Sequence, residues 1–293
     1  MTATLAQRLT IEPLEPTIGA EIHGVDLSQP LSDDLLAQIK AALWEHQVIF
    51  FRDQHLSPEQ HIAFGRLFGN LHVHPLGYEN EASHPELLRI HADEKSKYVA
   101  GEELHSDVTC EPEPPMGSIL YLREVPPTGG DTLFSSMYAA YDALSPSMKQ
   151  FLEGMTAIHD GVKPWTTGYK IRPDKAFPRA EHPVVTVHPE TGRKILFVNR
   201  GFTTRIRQLM YEESNALLEF LYQHLAHPRF QCRFRWRANS IAFWDNRCTQ
   251  HQAVWDYYPA RRSGHRVTIA GQAPEAADVA RVAAAPRSYP KPR

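Results

Sequence analysis

The segment Phe230-Gln-Cys-Arg-Phe-Arg-Trp-Arg237 alternates apolar and polar side chains along its whole length. Alternation with a period of two is typical of a β-strand that buries one face and exposes the other. The segment therefore predicts a half-buried strand in the C-terminal part of the chain.

Shorter apolar runs elsewhere in the chain predict further strands. They cover residues 48–51, 119–122, 184–187, 195–198, 241–244 and 267–270. Many short strands with few helices favour an antiparallel β core, either a sandwich or a barrel. The expected fold class is therefore mainly β with flanking helices.

Four helices are predicted from capping residues and apolar stripes. Ser32 and Ser57 are candidate N-caps, and Ser57 is followed by Pro58 at the first helical position and by Gln60 at the capping-box position. Ser145-Pro146 is a third candidate start, with Pro at the first helical position. A fourth helix is indicated by leucines at helical spacing, namely Leu217, Leu218, Leu221 and Leu225.

Composition limits the classes of protein that the chain can represent. Its 293 residues are 42% hydrophobic and 22% charged, with a formal net charge of −3. These values are ordinary for a globular protein and lack the basic excess of a dedicated nucleic-acid binder. We therefore expect no nucleic-acid partner.

The organisation of the chain predicts one domain in a reducing compartment. Residues 1–272 show no break in composition, whereas 273–293 form an Ala/Pro/Arg-rich segment that we expect to be a disordered tail. The first residues lack a signal-peptide pattern, and no apolar run is long enough to span a membrane. The three cysteines form no C-x-x-C pair. These features predict a cytoplasmic protein that does not bind membranes.

Two stretches are expected to be irregular: 78–103, which is polar and charged, and 159–182, which is rich in Pro, Lys and Arg. Both exceed the usual length of a connection, so they are candidate lids over a site.

Two H-x-D sequences are candidate metal sites. Residues i and i+2 of a strand point to one face, so a His and an Asp at that spacing can bind one ion and need a third ligand from elsewhere. The chain contains His91-Ala-Asp93, which runs into a charged segment, and His105-Ser-Asp107, which is followed by the β-prone residues Val108-Thr-Cys110. The β-prone context favours His105 and Asp107 without excluding the other pair.

Two further elements have both a functional and an ordinary interpretation. Trp244-Asp-Asn-Arg-Cys-Thr-Gln-His251 presents a His after a predicted strand, and Arg262 and Arg266 follow it. Arg binds carboxylates or sulfonates bidentately, although these arginines could equally lie in a basic surface loop. Gly129-Gly-Asp-Thr132 is a Gly-rich turn without the Lys of a phosphate-binding loop.

These motifs together, in this order, resemble the Fe(II)/2-oxoglutarate-dependent dioxygenases of the taurine dioxygenase and aryloxyalkanoate dioxygenase type. The resemblance also includes Phe197-Val-Asn-Arg-Gly-Phe-Thr-Thr-Arg205 and extends over residues 11–272. It implies a double-stranded β-helix (jelly-roll) core, and it favours His105 and Asp107 over the other H-x-D pair.

The resemblance also implies the roles of individual residues. Fe(II) would be bound by His105, Asp107 and His251. The cosubstrate 2-oxoglutarate would be bound by Thr132, Arg262, Trp244 and Arg266, with O2 as the second cosubstrate. The prime substrate would contact His74, Tyr78, Val108, Trp165, Phe202 and Arg266. Oxygen insertion beside a sulfonate would release sulfite and an aldehyde, together with succinate and CO2.

Three positions depart from the taurine dioxygenase pattern. Leu104 replaces a Trp, and Gly101 and Gly77 replace an Asn and a Tyr that contact substrate, with Tyr78 as a neighbouring substitute. Taurine is the first expected substrate, and a longer or aromatic sulfonate is the second.

Alternative functions within the family are cleavage of an alkyl sulfate ester or of an aryloxyalkanoate. A metal-free binding protein is a remote alternative. Family members are commonly oligomers, so a homodimer or homotetramer is expected.

Overall fold

The computed structural model describes residues 8–73, 80–81, 83–99, 101–164, 166 and 176–277, without the side chains of 80 and 81. The strands are β1 Thr10–Pro13, β2 Ala20–His23, β3 Val48–Phe51, β4 Leu71–His72, β5 Asn80–Glu81, β6 His84–Ala92, β7 Gly117–Glu124, β8 Thr132–Ser136, β9 Thr156–Asp160, β10 Arg179–Pro183, β11 Val185–Val187, β12 Lys194–Leu196, β13 Thr203–Ile206, β14 Gln231–Phe234, β15 Ser240–Asp245, β16 Thr249–Ala253, β17 Arg262–Ile269 and β18 Glu275–Ala276. The helices are α1 Asp33–His46, α2 Pro58–Arg66, α3 Met137–Asp142, α4 Pro146–Leu152 and α5 Tyr211–Leu225.

The strands form one large sheet and three small ones. The large sheet has the order β1-β2-β3-β15-β7-β17-β6-β5, and β4 also pairs with β17. The second sheet has the order β14-β8-β16, and the other two are β10-β9-β13 and β12-β11-β18. The expected mainly β fold with flanking helices is confirmed, with the double-stranded β-helix core that the resemblance implied.

The hydrophobic core has layers on both faces of the large sheet. On β3, Val48 and Phe50 belong to a cluster that includes Phe134 and Phe234 from the second sheet. Ile49, the residue between them, belongs instead to the cluster formed with α1 and α2. Because successive side chains of β3 point to opposite faces of the sheet, this one strand contributes to both hydrophobic clusters.

The segment that opened the sequence analysis alternates as expected. Cys232, Phe234 and Trp236 are buried, whereas Arg233 and Arg235 are exposed. Only Gln231–Phe234 is strand: a 3₁₀ turn over Pro228–Phe230 precedes it, and residues 235–237 after it are not strand. The period-two pattern thus predicted the buried face correctly and extended the strand too far.

The three predicted N-caps are confirmed. Ser32 accepts a hydrogen bond from the backbone N–H of Leu35, and Ser57 forms the full capping box with Gln60. Ser145 accepts from the backbone N–H of Met148. The leucine stripe also lies on a helix, α5. Short polar side chains placed before Pro or an acidic turn are strong local signals.

Two expectations from the sequence require correction. The segment 78–103 was expected to be irregular, yet it contains β6, which pairs along β17 from Ala92 opposite Arg262 to Leu87 opposite Val267. Burial along β6 does not alternate, since Leu87 and Leu88 are both buried, so no period-two signal was present. The segment 159–182 likewise contributes to β9 and β10, while 167–175 lie outside the described residues.

The predicted tail starts with ordered residues. Glu275 and Ala276 pair with β11, and the backbone N–H of Ala277 donates to the carbonyl of Val185. Residues 278–293 lie outside the described residues, so the disorder of the tail stays a prediction. Among the described helices, none is both long and apolar enough to cross a membrane.

Candidate active site

His105, Asp107 and His251 meet at one point near the second sheet. His105 and His251 form an isolated antiparallel bridge, with backbone hydrogen bonds of 3.0 and 2.8 Å. The Oδ1 atom of Asp107 lies 3.8 Å from Nε2 of His105 and 3.9 Å from Nε2 of His251. One ligand atom from each residue lies within 4.8 Å of the other two. The arrangement offers two imidazole nitrogens and one carboxylate to a single ion.

The backbone around Asp107 is a turn, which corrects the β-prone interpretation of residues 108–110. Val108 has φ 48°, a left-handed conformation that is costly for a β-branched residue. Two contacts of the Asn246 side chain hold the turn: Oδ1 accepts from the N–H of Asp107 at 2.7 Å, and Nδ2 donates to the carbonyl of Asp107 at 3.0 Å. These tertiary hydrogen bonds override the local preference for a strand.

The imidazoles of the cluster are oriented for metal binding. Nδ1 of His105 lies 2.7 Å from the carbonyl oxygen of Glu103 and donates to it, which leaves the Nε2 lone pair directed at Asp107. Burial lowers the pKa of His251 well below its usual value, with His105 contributing in the same direction. His251 therefore presents the neutral imidazole that a metal ion requires, and the contact of His105 with Glu103 fixes the orientation of its ring.

Asp107 is held by side chains from two strands of the large sheet. Ser118 on β7 donates to its Oδ2 at 3.0 Å, and Nη1 of Arg266 on β17 donates to its Oδ1 at 2.8 Å. The Nε atom of Arg266 is buried and has no hydrogen-bond partner among the described residues.

Arg262, four residues before Arg266 on β17, is a buried cation. Its Nε donates to the carbonyl of Gly130 at 3.1 Å and its Nη2 to Oγ1 of Thr132 at 3.4 Å. Arg262 is 4% exposed and forms no ion pair within the described part of the chain, and burial lowers its pKa. A guanidinium desolvated without a carboxylate is expensive unless a ligand supplies the anion.

Thr132 lies where it can assist Arg262. Its Oγ1 accepts hydrogen bonds from Nε1 of Trp236 at 2.9 Å and from Arg262. With both acceptor positions used, the hydroxyl hydrogen is available to donate. The sequence placed this Thr in a Gly-rich turn, and the structure brings it beside the buried cation.

Of the remaining candidate residues, the structure describes three and leaves the others outside the described ranges. The Trp244 ring lies 4.6 Å from that of His251, and its buried Nε1 has no hydrogen-bond partner among the described residues. The half-buried Phe202 ring lies 6.4 Å from that of His105, and Val108 is buried in the turn next to Asp107. His74, Gly77, Tyr78 and Trp165 lie outside the described residues.

His91 and Asp93, the competing H-x-D pair, are not part of a metal-like cluster within the described residues. Nε2 of His91 lies 3.4 Å from Oδ2 of Asp93, and Nδ1 contacts the Ser263 hydroxyl at 3.1 Å. The pair therefore serves local hydrogen bonding at the end of β6.

A second cluster, formed by His188, Asp245 and Cys248, was not predicted. Nε2 of His188 lies 2.9 Å from Oδ2 of Asp245. The Arg247 guanidinium donates to both oxygens of that carboxylate, from Nε to Oδ1 at 2.9 Å and from Nη2 to Oδ2 at 2.6 Å. Arg247 pairs in turn with Glu190 at 2.9 Å. Asp245 and Cys248 stand in the quoted motif, but nothing in the sequence indicated their histidine partner.

Comparison with known proteins identifies the family. The profile described as "Taurine catabolism dioxygenase TauD, TfdA family" matches residues 10–268. This chain belongs to the TauD/TfdA dioxygenase family. The family resemblance drawn from the sequence is thereby confirmed, and the chain is an α-ketoglutarate-dependent dioxygenase. The remote alternative of a metal-free binding protein is set aside.

Individual relatives have different substrates in their names. The chain is 35% identical to an α-ketoglutarate-dependent sulfate ester dioxygenase from Pseudomonas putida, over 94% of each chain. It is 31% identical to the α-ketoglutarate-dependent 2,4-dichlorophenoxyacetate dioxygenase of Cupriavidus pinatubonensis, covering 87% of this chain and 96% of the relative. A crystal structure of a taurine dioxygenase from Burkholderia xenovorans superposes with a TM-score of 0.81 at 38% identity, covering 92% of this chain and 91% of that one.

Proposed function

We propose that this dioxygenase binds Fe(II) and hydroxylates a small organic anion, with an organosulfonate as the first substrate class. One observation carries the proposal: two imidazoles and a carboxylate meet beside two buried arginines, one of which lacks an anionic partner within the described chain. The donor set suits a divalent iron, and the unpaired cation suits a carboxylate ligand.

His105, Asp107 and His251 would be the iron ligands. Bound there, Fe(II) supplies oxygen activation, which couples oxidative decarboxylation of 2-oxoglutarate to succinate and CO2 with insertion of one oxygen atom into a substrate C–H bond. The protein supplies the two imidazoles and fixes Asp107 through Ser118 and Asn246. Hydrogen bonds of this kind to a metal-binding side chain orient it and influence the affinity for the metal.

Arg262 and Thr132 would bind the distal carboxylate of 2-oxoglutarate. The guanidinium offers paired donors and full charge, and the hydroxyl offers the hydrogen left free by its two acceptor contacts. Trp244 would form a wall of the same pocket, next to His251.

Arg266 would address the anionic end of the prime substrate, because its Nε atom is buried and has no partner among the described residues. Phe202 and Val108 would provide apolar walls, and His74, Tyr78 and Trp165 remain predicted contacts. Hydroxylation at the carbon bearing sulfur gives an α-hydroxysulfonate, which separates into an aldehyde and sulfite. The apolar walls would exclude water from the reacting carbon.

A sulfate ester is the second candidate substrate, because the similarity to the Pseudomonas putida sulfate ester dioxygenase covers 94% of both chains. An aryloxyalkanoate is the third. Gly101 offers no side chain to a substrate where the taurine dioxygenase pattern has an Asn: it has φ 85°, and a Cβ there would lie 2.9 Å from Cε1 of His105. A side chain cannot occupy that position without displacing the imidazole.

A substrate panel tests the proposal. Taurine, a longer alkylsulfonate, an arylsulfonate, an alkyl sulfate and phenoxyacetate are each incubated with Fe(II) and 2-oxoglutarate, and succinate, sulfite, sulfate and phenol are measured in parallel. We expect sulfite and succinate in equal amounts from at least one sulfonate. Sulfate or phenol without sulfite would transfer the assignment to the second or third candidate. Succinate without any of these products would contradict all three.

We also propose a reducing compartment, supported by three cysteines that are all free and buried. The homodimer or homotetramer and the cytoplasmic location stay predictions.

A further inference from the structure

Tyr257 has a buried hydroxyl that nothing in the described part of the chain satisfies. The residue is 6% exposed, and its hydroxyl oxygen has no hydrogen-bond partner. Leaving a phenol hydroxyl desolvated and unpaired costs free energy, whereas Phe would fill the same space without that cost. An orphaned donor of this kind needs an explanation, and a ligand is one.

The turn that carries Tyr257 is fixed against the Gly-rich turn before β8. The backbone N–H of Gly130 donates to Oδ1 of Asp256 at 2.8 Å, and the N–H of Val254 donates to the carbonyl of Asp131 at 3.0 Å. The carbonyl of Tyr257 accepts from the N–H of Ala260 at 2.8 Å. Contacts on both sides thus determine the position of the phenol ring.

Gly130 brings the Tyr257 ring and the Arg262 side chain together. Its backbone has φ 71°, and a Cβ there would lie 3.2 Å from Cδ1 of Tyr257 and 3.3 Å from Cδ of Arg262. Both side chains therefore occupy the space that a larger residue would need. The Tyr257 ring and the Arg262 side chain therefore pack against the same glycine, and the phenol and the buried guanidinium interact electrostatically.

We propose that Tyr257 donates its phenol hydrogen to the distal carboxylate of 2-oxoglutarate, as a third donor beside Arg262 and Thr132. The inference rests on the proposed assignment of Arg262 to that carboxylate. It accounts for two unsatisfied groups at once, since one carboxylate has enough lone pairs for the guanidinium, the Thr132 hydroxyl and the phenol.

The protonation state of Tyr257 is consistent with this role. Burial raises the pKa of Tyr257, and the nearby Arg262 cation opposes the shift without cancelling it. The phenol therefore keeps its hydrogen across the physiological range and acts as a donor.

The test compares Tyr257→Phe with Tyr258→Phe. Both changes remove one hydroxyl, but the Tyr258 side chain is 62% exposed and donates only at 3.4 Å to the carbonyl of Glu94. Calorimetric titrations of Mn(II)-loaded protein use N-oxalylglycine, which has the distal carboxylate, and oxalate, which offers only the chelating end. Binding is thus read without turnover.

We expect Tyr257→Phe to weaken N-oxalylglycine binding by about tenfold or more, as for a lost hydrogen bond to a charged group. Oxalate binding should stay within twofold, and Tyr258→Phe should match the parent for both ligands. The thermal midpoint of ligand-free Tyr257→Phe should equal or exceed that of the parent. N-oxalylglycine affinity within twofold of the parent, or an equal loss for oxalate, would overturn the inference.

Arg262→Ala separates this inference from the proposed function. If Arg262→Ala loses N-oxalylglycine binding while Tyr257→Phe retains it, only the role of Tyr257 is wrong. If Arg262→Ala itself retains binding, the proposed cosubstrate site is wrong, and the role of Tyr257 is wrong with it.

Discussion

Two buried clusters of potential metal ligands meet at residues 245–251 and differ in how their polar groups are satisfied. The open triad is His105, Asp107 and His251, and the closed triad is His188, Asp245 and Cys248. In each, the candidate ligand atoms lie within 4.8 Å of one another. Proximity alone therefore does not distinguish them.

The carboxylate of the closed triad is satisfied by hydrogen bonds and an ion pair within the protein. Asp245 is hydrogen-bonded to His188 and doubly to Arg247, and Arg247 also pairs with Glu190. A metal ion would have to displace the hydrogen bond between His188 and Asp245 and approach the guanidinium. Burial alone would raise the pKa of the Asp245 carboxyl, but Arg247 and His188 outweigh burial and hold that pKa well below its usual range.

The open triad and its surroundings contain polar atoms that are free to bind a ligand. The two Nε2 atoms lie 3.8 and 3.9 Å from Oδ1 of Asp107, beyond hydrogen-bond distance. Nδ1 of His251, Nε of Arg266 and Nε1 of Trp244 are buried without a hydrogen-bond partner in the described residues. Buried polar groups are normally satisfied, so a concentration of unsatisfied ones indicates a place where ligands complete the structure.

The largest expected difference between the triads is in metal binding. His105→Ala should abolish tight Mn(II) binding and Fe(II)-dependent succinate formation, because two ligands no longer form a facial site. His188→Gln, which keeps an N–H donor toward Asp245, should retain one Mn(II) per chain. Calorimetric titration and a succinate assay measure both. Loss of the metal site in His188→Gln but not in His105→Ala would reverse the assignment of the two clusters.

The second difference is in stability, measured by urea denaturation without metal or cosubstrate. Arg247→Met should lower the free energy of unfolding by about 3 kcal/mol or more, because Asp245 stays buried with one of its charge partners removed. Arg262→Met should change it by less than about 1 kcal/mol, since that cation has no ion-pair partner in the described chain and its desolvation cost disappears.

N-oxalylglycine should still raise the unfolding midpoint of Mn(II)-loaded Arg247→Met and should no longer raise that of Arg262→Met. Equal destabilisation by the two substitutions would mean that Arg262 is paired in the free protein, and the contrast between the clusters would then fail.

The sequence predicted the open triad but not the closed one, for a physical reason. The H-x-D spacing made His105 and Asp107 candidates, and the family resemblance of the ordered motifs favoured this pair and added His251. The pairing of His188 with Asp245 joins residues 57 apart through tertiary packing, and neither residue is unusual locally. Strand alternation and serine caps were predictable because they depend on neighbours in the chain.

Features imposed by distant contacts were not predictable. The left-handed conformation of Val108 is associated with the hydrogen bonds between Asn246 and the backbone of Asp107. Strand β6 forms through its antiparallel pairing with β17. The unsatisfied Tyr257 hydroxyl is invisible in the sequence, because only the packing shows what it fails to contact. Local patterns and the family resemblance thus predicted the candidate residues, and tertiary structure determines how those residues are held.

The smallest expected effect is on the pH dependence of stability and concerns His61. Like the closed triad, this buried side chain has its hydrogen-bond partner within the protein. Its Nε2 donates to the carbonyl of Ile119 at 3.1 Å, and burial lowers the pKa of His61 to about 3. The unfolded chain takes up a proton near pH 6.5 and the folded protein does not, so stability falls as pH decreases from 6.5 toward 3. The contribution of His61 is about 1.4 kcal/mol per pH unit in that window.

His61→Gln keeps a neutral N–H donor and removes the titration. Urea denaturation should therefore give the variant and the parent similar free energies of unfolding at pH 7.5. Between pH 6.5 and pH 5 the free energy of unfolding should depend less on pH in the variant, by the equivalent of up to one proton taken up on unfolding. An unchanged slope would mean that the folded protein accepts a proton on His61. A buried hydrogen bond within the protein would then not be enough to keep a histidine neutral. The contrast between satisfied and unsatisfied groups would hold only for the two triads.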